Sequence, residues 1–191
     1  MQRLAVTLTK YIFKKGIISA ENYDVYLYGF QSFLEILLNV ICSIFIALFL
    51  HMEIECILFF LFFIPLRSYN GGFHLENYYA CLFFSCLTLV CILLIVKYYC
   101  FNIIATFILF FVSMVLSKLL GAVNHPNRPV NKEENIFFRK KSDITFITST
   151  FIAIIFVLFK QNRYLLLESL VYLLFFFTLL IGKIKFSYKN T

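Results

Sequence analysis

Arg67, Gly71, Gly72, His74 and Cys81 bring a cation, two unhindered backbone positions, a base and a thiol together within residues 67–81. An imidazole can take the proton of a thiol, and the resulting thiolate is a strong nucleophile whose natural electrophile is a peptide carbonyl. In that chemistry Cys81 is the candidate nucleophile and His74 the candidate base that deprotonates it. Arg67 holds an acidic group of the substrate, and N–H groups around Gly71 and Gly72 face the oxyanion. The spacing sets a structural condition. Seven residues of unbroken helix would separate His74 and Cys81 by about 10.5 Å along the axis, whereas a proton-transfer contact is about 3 Å. The helix must therefore break between them. The glycine pair permits the chain to fold back, and Asn77 is placed to cap a helix that starts beside it. Cys81 then falls near the first turn, where the helix dipole favours negative charge.

The elements that position this segment are set by composition. The 191 residues are 62% hydrophobic and 14% charged, with a mean hydropathy of +0.88, against about 45–50% and about 25% for a soluble domain. So much apolar surface excludes a soluble enzyme and points to an all-α integral membrane protein, a single membrane-embedded domain over residues 1–191. The apolar runs are Leu27–Leu50, Cys56–Leu66, Tyr78–Val96, Phe101–Leu120, Ile144–Phe159 and Tyr164–Ile181, which predicts about six transmembrane helices. The second run, at about 16 Å, is short or partly re-entrant against a hydrocarbon thickness of about 30 Å. Residues 1–20 alternate apolar side chains with Arg3, Lys10, Lys14 and Lys15. They read as an amphipathic helix lying in the interface, without the apolar core and cleavage site of a signal peptide. The other cysteines, Cys42, Cys56, Cys86, Cys91 and Cys100, lie in or beside apolar runs with no C-x-x-C spacing, so packing is their expected role. No metal, cofactor or nucleic-acid partner is expected.

With six spans, 14 of the 17 Lys and Arg residues fall on one side, and only Lys97, Lys160 and Arg163 on the other. Positive charge is retained on the cytoplasmic side. Both termini, the 67–81 segment and a basic loop over residues 121–143 are therefore expected there, in a multi-pass cell-membrane protein. Glu35 and Asn39 share one face of the first span. An intramembrane carboxylate is costly and often functional, and Glu35 is a candidate to orient His74 or pair with Arg67, or else to bridge helices structurally.

The pattern R-x-x-x-G-G-x-H-x-x-x-x-x-x-C formed by Arg67, Gly71, Gly72, His74 and Cys81 resembles the accessory gene regulator B (AgrB) family of quorum-sensing membrane cysteine endopeptidases. Asn127-Arg128-Pro129 is similar to that family's N/K-R-P segment. Ala122-Val123 departs from the Ala-Pro often found ahead of it. The resemblance implies an AgrD-type propeptide substrate whose C-terminal tail is removed through a thioester on Cys81, the remainder being cyclised to a thiolactone or lactone. It also implies a homodimer in the lipid bilayer. The family's propeptides end in an acidic tail, which Arg128, Lys132, Arg139, Lys140 and Lys141 are candidates to bind. The same charges also serve topology. A small transporter or peptide exporter without proteolysis is the alternative from another class.

Overall fold

The computed structural model describes residues 2–19, 22–72, 77–99, 101–123 and 132–187. His74 and Arg128 lie outside the described residues, as does the side chain of Lys132. Among the described residues seven helices follow one another: α1 (Gln2–Lys14), α2 (Tyr23–Leu50), α3 (Glu53–Asn70), α4 (Tyr78–Tyr98), α5 (Ile103–Leu120), α6 (Lys132–Leu158) and α7 (Asn162–Ser187). The protein is an all-α membrane protein, as expected. Among the described residues, α2, α4, α5, α6 and α7 are long and apolar enough to cross a membrane.

The helix α3 is the exception, because its sequence carries Glu53, Glu55 and Arg67. It extends the short apolar run at both ends, to 18 residues or about 27 Å. Pro65 lies inside it and leaves the Leu61 carbonyl without its usual helical donor. The buried positions Glu55, Cys56, Phe59, Phe62, Leu66 and Asn70 follow the three- and four-residue spacing of one helix face. The Glu55 carboxylate at the buried end of this stripe is met by Arg163 at 2.7 Å. Cross-helix pairing of this kind is what permits a carboxylate in the bundle.

Two turns are tight enough to fix antiparallel neighbours. His51 (φ 53°) ends α2 and Lys160 (φ 55°) ends α6, both left-handed. The next N–H groups reach back to Ala47 and Phe156 at 3.0 and 2.8 Å, so helix-end carbonyls find partners. The interfacial element ends earlier than residue 20. Gly16 at φ 69° terminates α1 at Lys14, with Ile17 N–H donating to the Ile12 carbonyl at 3.1 Å. Ala5 and Thr9 bury one face of α1, Phe13 packs edge-on against Tyr23 of α2, and Leu4, Leu8 and Tyr11 stay exposed. The expected 121–143 loop is also corrected: from Lys132 onward it is helical and forms the first turns of α6. Its sequence opens Lys-Glu-Glu, and negative charge in a first turn offsets the helix dipole.

The core is built around α7, where Leu165, Leu167, Val171, Tyr172, Phe175 and Leu179 are fully buried. Glu168 and Ser169 are buried with them, so α7 is enclosed by its neighbours around its circumference. Tyr172 packs against Phe110 of α5 and Phe146 of α6, with ring centroids 5.0 and 5.9 Å away. One end of the bundle gathers the C-termini of α3, α5 and α7 with the N-termini of α4 and α6. There Val123 N–H donates to the Asn70 carbonyl at 2.8 Å, Ser142 Oγ donates to Asn70 Oδ1 at 2.8 Å, and Lys118 pairs with Asp143 at 3.2 Å. The opposite end holds the Arg163–Glu55 pair and the bond from Lys97 Nζ to the Leu50 carbonyl.

Candidate active site

The last turn of α3 ends where two glycines follow. Gly71 adopts φ 70° and ψ −140°, a conformation that only glycine takes without strain. It pairs as an isolated parallel bridge with Val123, and a Cβ at this position would stand 2.3 Å from the Val123 carbonyl oxygen. Gly72, at φ 128°, has a different neighbour. A Cβ there would lie 2.7 Å from Arg67 Nη1 and 3.4 Å from Thr178 Oγ1 of α7. The two glycines thus have separate structural uses. Gly71 lets the segment after α5 close on the end of α3, and Gly72 leaves room for the Arg67 guanidinium to fold over the turn beside α7.

Asn70 ties this end together. Its Nδ2 donates to the Leu66 carbonyl at 3.0 Å, its Oδ1 accepts from Ser142, and its carbonyl accepts from Val123. Three chain segments therefore meet at one buried amide. Sequence reading had passed over it, although it stands immediately before the glycine pair.

After the turn the chain restarts as α4. Asn77 is its N-cap in an extended conformation (φ −84°, ψ 114°), and its side chain accepts from Tyr79 N–H at 3.0 Å. The helix break demanded by the His74–Cys81 spacing is present. Cys81 N–H donates to the Asn77 carbonyl at 3.0 Å, which seats Cys81 at the close of the first turn. The thiol is half-buried and within electrostatic reach of Arg67. Tyr78, one turn before Cys81 and also missed in the sequence, is within electrostatic reach of both Glu35 and Cys81, and its hydroxyl donates to the Glu35 backbone carbonyl at 3.3 Å. The Glu35 carboxylate accepts from Gln31 Nε2 at 3.1 Å on its own helix. Arg67, Gly71, Gly72, Tyr78 and Cys81 are thus gathered at one end of the bundle, with α2 and Glu35 alongside.

The expected tail-binding residues separate by position. Arg139 lines a cavity of about 480 Å³ between the ends of α3 and α5 and the first half of α6. Lys140 and Lys141 are exposed, and Lys141 Nζ lies 5.6 Å from the centre of the Phe137 ring. Among the described residues no group of His, Cys, Asp and Glu is arranged to hold a metal.

This architecture defines a multi-pass helical membrane protein with a thiol set at a helix start within electrostatic reach of a guanidinium. The chain belongs to the accessory gene regulator B family, whose model matches residues 5–183, nearly its whole length. No curated protein and no solved structure matches it. Family membership places it in Agr-type quorum-sensing processing and implies an AgrD-type substrate.

Proposed function

We propose that the protein is a membrane cysteine endopeptidase that removes the C-terminal tail of an AgrD-type propeptide and cyclises the remainder. Cys81 sulfur attacks the scissile carbonyl, and His74 accepts the thiol proton and returns it to the leaving amine. The C–N bond breaks, the tail departs, and a thioester to Cys81 remains. A Cys or Ser of the same peptide then attacks that thioester, releasing a thiolactone or lactone and regenerating the Cys81 thiol. A thioester retains much of the bond energy, so transfer to a second thiol is close to balanced. Holding that nucleophile beside the thioester supplies high effective concentration, and a site at membrane depth limits competition from water.

The observation that carries this reading is the restart of the helix at Asn77. It seats Cys81 in the first turn of α4, within electrostatic reach of an Arg67 that Gly72 leaves room for. Arg67 orients an acidic group of the substrate near the thiol, and Glu35 steadies the start of α4 through Tyr78. The basic residues Arg128, Lys132, Arg139, Lys140 and Lys141 attract the tail. The site, like both termini, faces the cytoplasm by the charge distribution, and the working unit is a homodimer. Co-expression with the cognate propeptide, read by mass spectrometry of the released tail, tests the assignment. Cys81→Ala and His74→Ala should release none; release by Cys81→Ala at the parental level would refute it.

A further inference from the structure

The core face of α7 holds a titratable group that the chemistry above does not use. Glu168 is fully buried, and both of its carboxyl oxygens lack a hydrogen-bond partner among the described residues. It lies six residues past Asn162, where α7 begins, or about 9 Å into the bundle from that end. The charged residues on the helices packed against α7 are engaged or placed elsewhere. On α3, Glu55 is held by Arg163, Glu53 is exposed, and Arg67 lies at the Gly72 turn. On α4, Lys97 donates to the Leu50 carbonyl. On α5 and α6, Lys118 and Asp143 pair at the opposite end of the bundle. On α7 itself, the Tyr164 ring packs against Phe156.

The titratable group that faces Glu168 is Tyr172, one turn further on and within electrostatic reach. The Tyr172 hydroxyl is buried too, without a hydrogen-bond partner but beside Ser149 of α6. Phe110 and Phe146 pack around the same ring. A carboxylate with neither a cation nor a donor is far costlier to bury than the neutral acid. The neutral acid also suits its neighbours, because its O–H can donate and hydroxyl oxygens can accept. An ionisable side chain held inside a membrane bundle in this way marks a site for a proton or another cation.

We propose that Glu168 is a proton-binding site inside the membrane: the acid keeps its proton while α5, α6 and α7 are closed around it and releases it when they part. On opening, the carboxyl O–H bond breaks, water takes the proton, and the carboxylate is hydrated. Closure of α7 reaches the candidate site as well, because Thr178 of the same helix lies against the Gly72 turn. Infrared spectra of the full-length protein in phosphatidylcholine nanodiscs at neutral pH, with glutamate carboxyl groups isotopically labelled, test the assignment. Wild type should show the carbonyl stretch of a protonated carboxylic acid, shifted in heavy water, and Glu168→Gln should lose that band alone. Gln matches the neutral acid in shape and charge, so the variant should fold. Glu55→Gln should instead lose a carboxylate band. If Glu168→Gln does not fold, Tyr172→Phe decides: it keeps the ring, removes the neighbouring hydroxyl, and should move the acid band. Thermal unfolding in micelles gives a second reading. A group that holds a proton in the closed bundle and loses it on opening makes stability fall as pH rises, beginning near the ordinary glutamate value of about 4.3. Above that pH the unfolding equilibrium of wild type relative to Glu168→Gln should rise by up to about tenfold per pH unit. Absence of the acid band from wild type, its survival in Glu168→Gln, or the same pH dependence in both proteins would overturn the inference. So would stabilisation by sodium chloride over choline chloride that Glu168→Gln abolishes, which would assign the carboxylate to a metal cation. None of these readouts uses tail release, so the peptidase reading stands or falls separately.

Discussion

Gly71→Ala tests how tightly the site is held. Gly71 sits at φ 70° and ψ −140°, and placing a non-glycine residue in such a region costs about 1–3 kcal/mol. The added Cβ would also meet the Val123 carbonyl oxygen at 2.3 Å, about 1 Å inside ordinary contact at 3.4 Å. That oxygen belongs to backbone and cannot rotate away, so the 121–123 segment must shift. The shift strains the 2.8 Å bond from Val123 N–H to the Asn70 carbonyl, worth about 1 kcal/mol. Together these give about 2–4 kcal/mol, or roughly 30-fold to several-hundred-fold in the equilibrium between closed and open turn. Gly16→Ala is the control, since Gly16 has nearly the same φ of 69° but nothing within 4 Å of its Cβ position. Two assays read the pair: thermal unfolding in micelles followed by loss of helical circular dichroism, and propeptide cleavage in the co-expression system. Gly71→Ala should fall well below Gly16→Ala in both. If the two variants match within a few tenths of a kcal/mol and cleave alike, the bridge between the end of α3 and Val123 does not hold the site.

Two further substitutions probe the elements around it. Asn77→Ala removes the cap of α4 and should cost about 1 kcal/mol while lowering the rate of tail release; Asn77→Asp should restore both, and a Cys81 that reacts equally well without any cap would argue against positioning by the first turn. Arg163→Ala strips the partner from Glu55, whose side chain is only 6% exposed. The loss should reach up to about 3 kcal/mol, the low end for a broken buried pair because Arg163 itself is half exposed. Adding Glu55→Gln should recover most of that in thermal unfolding; a double variant no better than the single would show that the pair does not carry the cost.

Much of the fold was legible in the chain. Long apolar runs must become helices in a bilayer, because no other open structure satisfies the backbone there. The same local logic gave the break before Cys81, since no continuous helix can bring residues seven apart into contact, and Asn77 is where a cap belongs. Helix ends were harder to place. The charged stretch before Ile144 looked like loop by composition, yet it is helical from Lys132 onward, and residues 1–20 yielded a helix only to Lys14 because Gly16 turns left-handed.

Residue types and spacing alone determined the membrane class, the segment proposed to bear the chemistry, and the family resemblance. Tertiary structure alone decided what the glycines are for, because a glycine in the sequence states only that a side chain is missing, not what would occupy its place. Gly71 makes way for the carbonyl of Val123, and Gly72 for the guanidinium of Arg67. Both neighbours are brought there by packing: Val123 by the return of α5, and Arg67 by the seat of α3 against α7. The same holds for Asn70, whose partners Val123 and Ser142 lie 53 and 72 positions along the chain. Contacts over such separations follow from how the bundle closes, which no local pattern encodes.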